Sequence, residues 1–98
     1  DAQVRCAVAR RLAMPALWRL VDDPAPEVRR VVAERLPEAL LGRLADDADW
    51  LVRWAAAGRA SGAVLQRLLA DDEADVREQA AARLALLARP PAEEPSHG

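Results

Sequence analysis

The dipeptide Val-Arg stands at Val4-Arg5, Val28-Arg29, Val52-Arg53 and Val76-Arg77, each copy 24 residues after the last. The register carries far more than two residues. Ala9, Ala33, Ala57 and Ala81 fall in one column, and Arg11, Arg35, Arg59 and Arg83 in another. Leu17, Leu41 and Leu65 form a third, Leu20, Leu44 and Leu68 a fourth, and Asp23, Asp47 and Asp71 close the unit. A fixed period in this range marks a tandem array in which each unit buries its apolar face against its neighbours.

Each unit divides in two. In the second, Val28, Val31, Val32 and Leu36 recur at helical spacing and make one apolar stripe. Pro26 suits the first helical turn, where its missing N–H is no loss. Pro37 pushes Leu36 out of the helical region and ends the helix. The remainder, Glu38 to Ala45, is too short for a long helix, and a turn or two of α- or 3₁₀-helix gathers Leu40, Leu41 and Leu44. Two helices of ordinary length do not fit in one period, so one of each pair is short. No segment alternates as a strand does.

Composition supports helix. Hydrophobic residues are 52% of the chain, yet the only aromatics are three Trp, so Ala, Leu and Val supply the bulk. All 14 cations are Arg, a bias that by itself matches a GC-rich coding sequence. A net charge of -2 disfavours nucleic acid as a partner. No apolar run has the length of a membrane span, and no signal-peptide pattern is present. One cysteine, Cys6, forms no internal disulfide and holds no metal cluster alone; it suits a reducing, cytoplasmic setting.

The pattern VRRVVAERLPEALLGRLADD in 24-residue units resembles the leucine-rich repeat variant family. DDPAPEVRRVVAERL also resembles HEAT-like repeats, whose units are longer. The resemblance implies an all-α, right-handed solenoid (a superhelix) in which each repeat is an α-helix plus a short α- or 3₁₀-helix, with no β-sheet. Residues 1–89 are expected to be this solenoid, with units beginning near Val4, Val28 and Val52 and a capping helix from about Asp75. The polar tail 90–98, PPAEEPSHG, is expected to be disordered. Gln79, in a column otherwise held by Ala7, Val31 and Ala55, fits a terminal cap. Because Arg5 has no preceding Asp, the chain reads as the C-terminal part of a longer repeat protein.

Asp23, Asp47 and Asp71 stand six residues before Arg29, Arg53 and Arg77. An Asp in the turn before a helix accepts bonds from helix-start amides and from an arginine of its own or the adjacent repeat, which makes these six residues a structural ladder. The third repeat departs from the pattern at Trp50, Leu51 and Trp54. Leu51 aligns with Glu27 and Asp75, and Trp54 with Cys6, Arg30 and Glu78, whereas Trp50 aligns with Pro26 and Ala74. Helical spacing puts Trp50 and Trp54 on one face, opposite Val52, Ala55 and Ala56, where large apolar groups are candidate anchors for a protein partner. The alternative is that Trp54 packs over Gly58 or a neighbouring repeat. Trp18, aligned with Gly42 and Gln66, is a further candidate for exposure.

No catalytic constellation is present: His97 is in the tail, Ser61 has no nearby His, and the paired aspartates recur as turn residues. Nor is there a phosphate-binding Gly-rich loop. The expected function is protein binding or scaffolding, without catalysis and without a cofactor in this chain. The resemblance implies two alternatives. One is the repeat domain of an iron–sulfur protein whose [4Fe–4S] centre sits in an upstream cysteine-cluster domain, with a redox or metallocluster-related role. The other is a HEAT-like subunit of the bilin-lyase kind.

Overall fold

The same short motif starts each long helix. Asp23, Asp47 and Asp71 each accept, through Oδ1, the amide two residues on: Ala25, Asp49 and Glu73, all at 2.9 Å. This Asx turn reverses the chain and delivers it into a helix. In the computed structural model, which describes residues 1–89, the helices so started are α2 (Pro26–Arg35), α4 (Trp50–Ala57) and α6 (Ala74–Ala88). Ahead of them lies α1 (Ala2–Ala9), capped by Asp1, whose carboxylate accepts the Gln3 amide at 2.7 Å. Pro26 opens α2, and Leu36, held extended before Pro37, closes it.

The return segments are short. The first is a 3₁₀ turn, Leu17–Leu20. The second is a 3₁₀ turn, Glu38–Leu40, followed by one α-turn, α3 (Gly42–Ala45). The third, lacking a proline, is a two-turn helix, α5 (Gly62–Leu69), entered through Gly62 in the left-handed region at φ 57°. α6 runs from Ala74 to Ala88 without a break, as an uninterrupted stretch free of Pro and Gly allows. All described secondary structure is helical, with no strand among residues 1–89. The expected tail, 90–98, and His97 within it lie outside the described residues.

Successive long helices pack side by side, α1 on α2, α2 on α4 and α4 on α6. Each return segment packs on the long helix that follows it: the Leu17–Leu20 turn on α2, α3 on α4 and α5 on α6. The result is an elongated stack, 57 × 30 × 19 Å. Its core is the column pattern made solid. Val28, Val52 and Val76 are fully buried, as are Val32, Ala56 and Ala80 one helical turn further on. Leu17, Leu41, Leu44, Leu65 and Leu68 close over them from the return segments. Ala9, Ala33 and Ala57 are also fully buried, and their small side chains let neighbouring long helices approach. The buried residues fall into two clusters that meet at α4: Ala55 and Ala56 belong to the first, Ala57 to the second.

Candidate protein-interaction surface

Three columns of arginine set the spacing of the stack. In the first, Arg29 and Arg53 each reach in two directions. Arg29 donates through Nε and Nη2 to the carboxylate of Asp47, one repeat ahead, at 2.7 and 3.0 Å, and through Nη1 to the backbone carbonyl of Asp23 at 2.7 Å. Arg53 does the same with Asp71, at 2.8 and 3.1 Å, and with the Asp47 carbonyl at 2.8 Å. Arg5 holds Asp23 at 2.7 and 3.1 Å. The carboxylate that an arginine grips is therefore 18 residues ahead, while the aspartate six residues behind contributes only its carbonyl. At the far end Arg77 bonds the Asp71 carbonyl at 2.8 Å and, among the described residues, pairs with no carboxylate. Arg5 is a rung that the six-residue spacing does not single out.

These rungs are largely shielded from water, and the ionisation of their members follows. The Arg5 side chain, donating to Asp23, holds that carboxyl below the usual carboxylate range against the opposing effect of burial, with help from the Ala25 amide. Burial pushes the Asp71 carboxyl up, but the Arg53 bonds and the Glu73 amide outweigh it, so Asp71 too titrates low. Arg29 and Arg53 are raised by their bonds to Asp47 and Asp71. Asp23 and Asp71, and the arginines that hold them, therefore stay charged at neutral pH.

The second column caps helices. Arg35 donates through Nη1 to the carbonyls of Ala9, at 2.7 Å, and Leu12, at the end of α1. Arg59 takes the Ala33 carbonyl at 2.8 Å, at the end of α2. Arg83 takes the Ala60 and Arg59 carbonyls at 2.9 and 3.1 Å, beyond α4, and adds the Glu38 carboxylate at 2.9 Å. A cation here satisfies carbonyls that a helix end leaves unpaired and meets the negative end of its dipole. The recurrence of this column is plain in the sequence; its partners are not, because backbone carbonyls have no signature there. The third column lies in water: Arg43 pairs with Asp22, as close as 2.6 Å, and Arg67 with Asp46 at 2.9 Å. Every buried side-chain polar atom among the described residues is hydrogen-bonded.

Against this frame the third repeat presents its apolar residues unequally. Leu51 and Trp54, one turn apart on the outer side of α4, are 38% and 39% exposed. Asp49, the α4 N-cap, accepts the Leu51 amide at 2.9 Å and fixes where that residue points. Beside Leu51 a shallow groove of about 150 Å³ runs between α2 and α4, lined by Pro26, Glu27, Arg30, Asp49 and Leu51. A wider one of about 510 Å³ separates α1 and α2 at Gln3, Cys6, Ala7, Arg10 and Glu27. Glu27, Arg30, Asp75 and Glu78, which flank Leu51 and Trp54 on the neighbouring helices, are solvent-exposed and polar.

Two of the tryptophans expected on the solvent side are not there. Trp50 is half-buried and packs on the second core cluster with Val64 and Leu69. Trp18 is half-buried against the first. Trp50 shares its column with Pro26 and Ala74, which carry no charge, and that was the available sign that its position faces inward. Gly58 does not serve as a seat for Trp54; a Cβ there would lie 2.7 Å from Gln79 Nε2, so it is Gln79 of α6 that fills the space over it. Cys6 is a half-buried thiol beside the first cluster. A [4Fe–4S] centre takes four protein ligands, mostly cysteines, and with one cysteine this chain has no ligand set of its own for one. No group of three or more His, Cys, Asp or Glu among the described residues is placed to hold a metal ion. No described helix is long and apolar enough to cross a membrane.

Residues 26–49, from the first residue of α2 to the N-cap of α4, match the family model described as Leucine rich repeat variant. No curated protein and no solved structure matches the chain.

Proposed function

We propose that this leucine-rich repeat variant chain is a non-catalytic docking module for another protein, with its 24-residue units wound as a right-handed superhelix. The observation that carries the reading is the pair Leu51 and Trp54, exposed side by side on a rigid helix where the adjacent repeats present Glu27, Arg30, Asp75 and Glu78. An exposed indole and leucine beside a groove, rimmed by both signs of charge, is the anatomy of an interaction hot spot and its polar surround. The site is preorganised: α4 is pinned by the Arg29–Asp47 and Arg53–Asp71 rungs, so little ordering entropy opposes association. A protein partner also suits a chain whose net charge is -2.

The test is a paired capture from a native extract with wild-type chain and with a Leu51→Ser/Trp54→Ser chain. Circular dichroism should show that both are equally helical. Loss of the same captured proteins on substitution supports the reading. An unchanged set of captured proteins, with folding intact, removes this face from consideration.

A further inference from the structure

The charges around Leu51 and Trp54 are not balanced. α4 presents these two side chains between α2 and α6, whose outer columns hold Glu27 and Arg30 on one side and Asp75 and Glu78 on the other, all exposed. Arg30 stands 4.0 Å from Glu34, one turn further along α2. Glu27, Asp75 and Glu78 enter no ion pair among the described residues. Asp49, on the wall of the groove beside Leu51, accepts the Leu51 amide through Oδ1, and its Oδ2 makes no bond among those residues. Elsewhere on the stack carboxylates are answered: Asp22 by Arg43, Asp46 by Arg67, and Asp23, Asp47 and Asp71 by the rung arginines. Around the exposed indole and leucine they are not, and they stand on both flanks of the apolar pair.

The face is also lateral. α4 has a long helix on each side and α3 packed on it, so repeats added at either end of the stack would extend it without covering Leu51 and Trp54.

We infer that the segment docked on Leu51 and Trp54 belongs to a separate protein and is basic, with large apolar side chains at its centre and an Arg or Lys on each side. This rests on the docking reading above and adds the chemistry of the partner. The apolar centre lies on Leu51 and Trp54 and enters the groove beside Leu51; one cation meets Glu27 and Asp49, the other Asp75 and Glu78. Packed helices lie about 8–10 Å apart, so the carboxylates of α2 and α6 are about 16–20 Å apart. An extended segment crossing the three helices spans that distance in about five residues. Charge disfavours the other occupants. A second copy docking through the same face would bring carboxylates against carboxylates, and residues 90–98 contribute Glu93 and Glu94 but no Arg or Lys. An anionic lipid surface would meet the same repulsion.

The probe is the peptide GRRSLFSRRG, whose inner arginines match that span, titrated to about 1 mM into the isotope-labelled full chain and followed by amide chemical shifts. Saturable shifts centred on Leu51 and Trp54 are expected, and GEESLFSEEG should bind about tenfold more weakly or worse. Glu27→Arg/Glu78→Arg in the chain should weaken GRRSLFSRRG by about tenfold and strengthen GEESLFSEEG. Glu27→Gln/Glu78→Gln, which adds no repulsive charge to either helix, should weaken GRRSLFSRRG about two- to fivefold, with circular dichroism confirming the fold of each variant. Equal binding of the two peptides, absence of saturable shifts, or shifts centred away from α4 would overturn the inference. So would shifts at this face that grow with chain concentration without peptide, together with a dimer in sedimentation, which would give the face to a second copy. Capture from a native extract separates the inference from the reading beneath it. If proteins lost on Leu51→Ser/Trp54→Ser are retained on Glu27→Arg/Glu78→Arg, the docking face stands and the basic partner falls. If GRRSLFSRRG binds the Leu51→Ser/Trp54→Ser chain as tightly as wild type, the apolar pair is no anchor and both fall.

Discussion

Asp47→Ala removes one rung from the middle of the stack and leaves both flanking rungs intact. In the native chain this carboxylate accepts Arg29 Nε and Nη2 at 2.7 and 3.0 Å and the Asp49 amide at 2.9 Å. The two side chains of the pair are 16% and 7% exposed, so water replaces the lost partner poorly. An exposed pair is worth about 0.2–1 kcal/mol, and orphaning a wholly buried charge costs about 3–5 kcal/mol. The rung lies between these limits, because Arg29 keeps the Asp23 carbonyl at 2.7 Å and some contact with solvent. Loss of the Asx bond that starts α4 adds to the cost, and the total should be about 2–3 kcal/mol. With a urea slope of about 1–1.5 kcal/mol/M, the midpoint should fall by about 2 M.

The measurement is a urea melt read by far-UV circular dichroism and by tryptophan fluorescence, which reports Trp18 in the first repeat and Trp50 and Trp54 in the third. Coincident transitions are needed because a repeat stack can unfold in pieces. Asp46→Ala is the control. It cuts the neighbouring Arg67 pair, whose side chains are 49% and 67% exposed, and should cost less than about 1 kcal/mol. Adding Arg29→Met to Asp47→Ala should recover at least about 1 kcal/mol, since the stranded guanidinium is then gone. Equal losses for Asp46→Ala and Asp47→Ala, or no recovery in the double variant, would refute the argument from burial.

Arg53→Lys keeps the charge but loses the fork that binds Asp71 and the Asp47 carbonyl together, and urea melts should show a loss of about 1–2 kcal/mol. Trp50→Ala should cost about 2–3 kcal/mol by the same assay, whereas Trp54→Ser should cost about 1 kcal/mol or less, following their different burial. Gly58 has an ordinary helical φ of -72°, so Gly58→Ala in a Gln79→Ala background, where the 2.7 Å contact is relieved, should raise stability by about 0.4–1 kcal/mol in thermal melts. Asp23 and Asp71 titrate below their unfolded values, so their rungs contribute fully above about pH 5 and drain as pH falls through about 4 toward the folded pKa. Stability measured from about pH 6 to 3 should therefore decline, and Asp23→Asn should flatten the decline while lowering the plateau.

The core was legible because its period and the period of the helix act on the same residues. Val28, Val31, Val32 and Leu36 are recognisable as one stripe within a single repeat, and the columns then extend the assignment to Val52 and Val76 without further argument. The short return segment was equally plain from Pro37 and the leucines that follow it. Exposure on the outer face was less so. A column shows what its members share, and Trp50 shares nothing with Pro26 and Ala74 beyond lack of charge. Whether an indole there lies out or folds back over the second core cluster depends on the third return segment, which alone forms a two-turn helix. Val4 is the opposite case. Its column is a core column, and only the contacts show that the covering element is the preceding return segment, which leaves Val4 open.

The arginine columns show why recurrence in a sequence names a contact without naming its partner. In a periodic chain, an aspartate six residues behind an arginine and one 18 residues ahead belong to the same column. Spacing cannot choose between them, and here it need not, because Arg29 and Arg53 use both: the nearer through its carbonyl, the farther through its carboxylate. A guanidinium can do this because its donors diverge in a plane, and an ammonium cannot hold two such partners in fixed directions. The complete absence of Lys, which composition alone leaves to coding bias, thus has a structural use. Each shielded arginine joins two successive turns before a long helix, and the second arginine column ties the end of each long helix to the next repeat. The polar groups therefore fix the distance between repeats while the apolar columns supply most of the burial. Fixed spacing leaves a face such as Leu51 and Trp54 held ready in place.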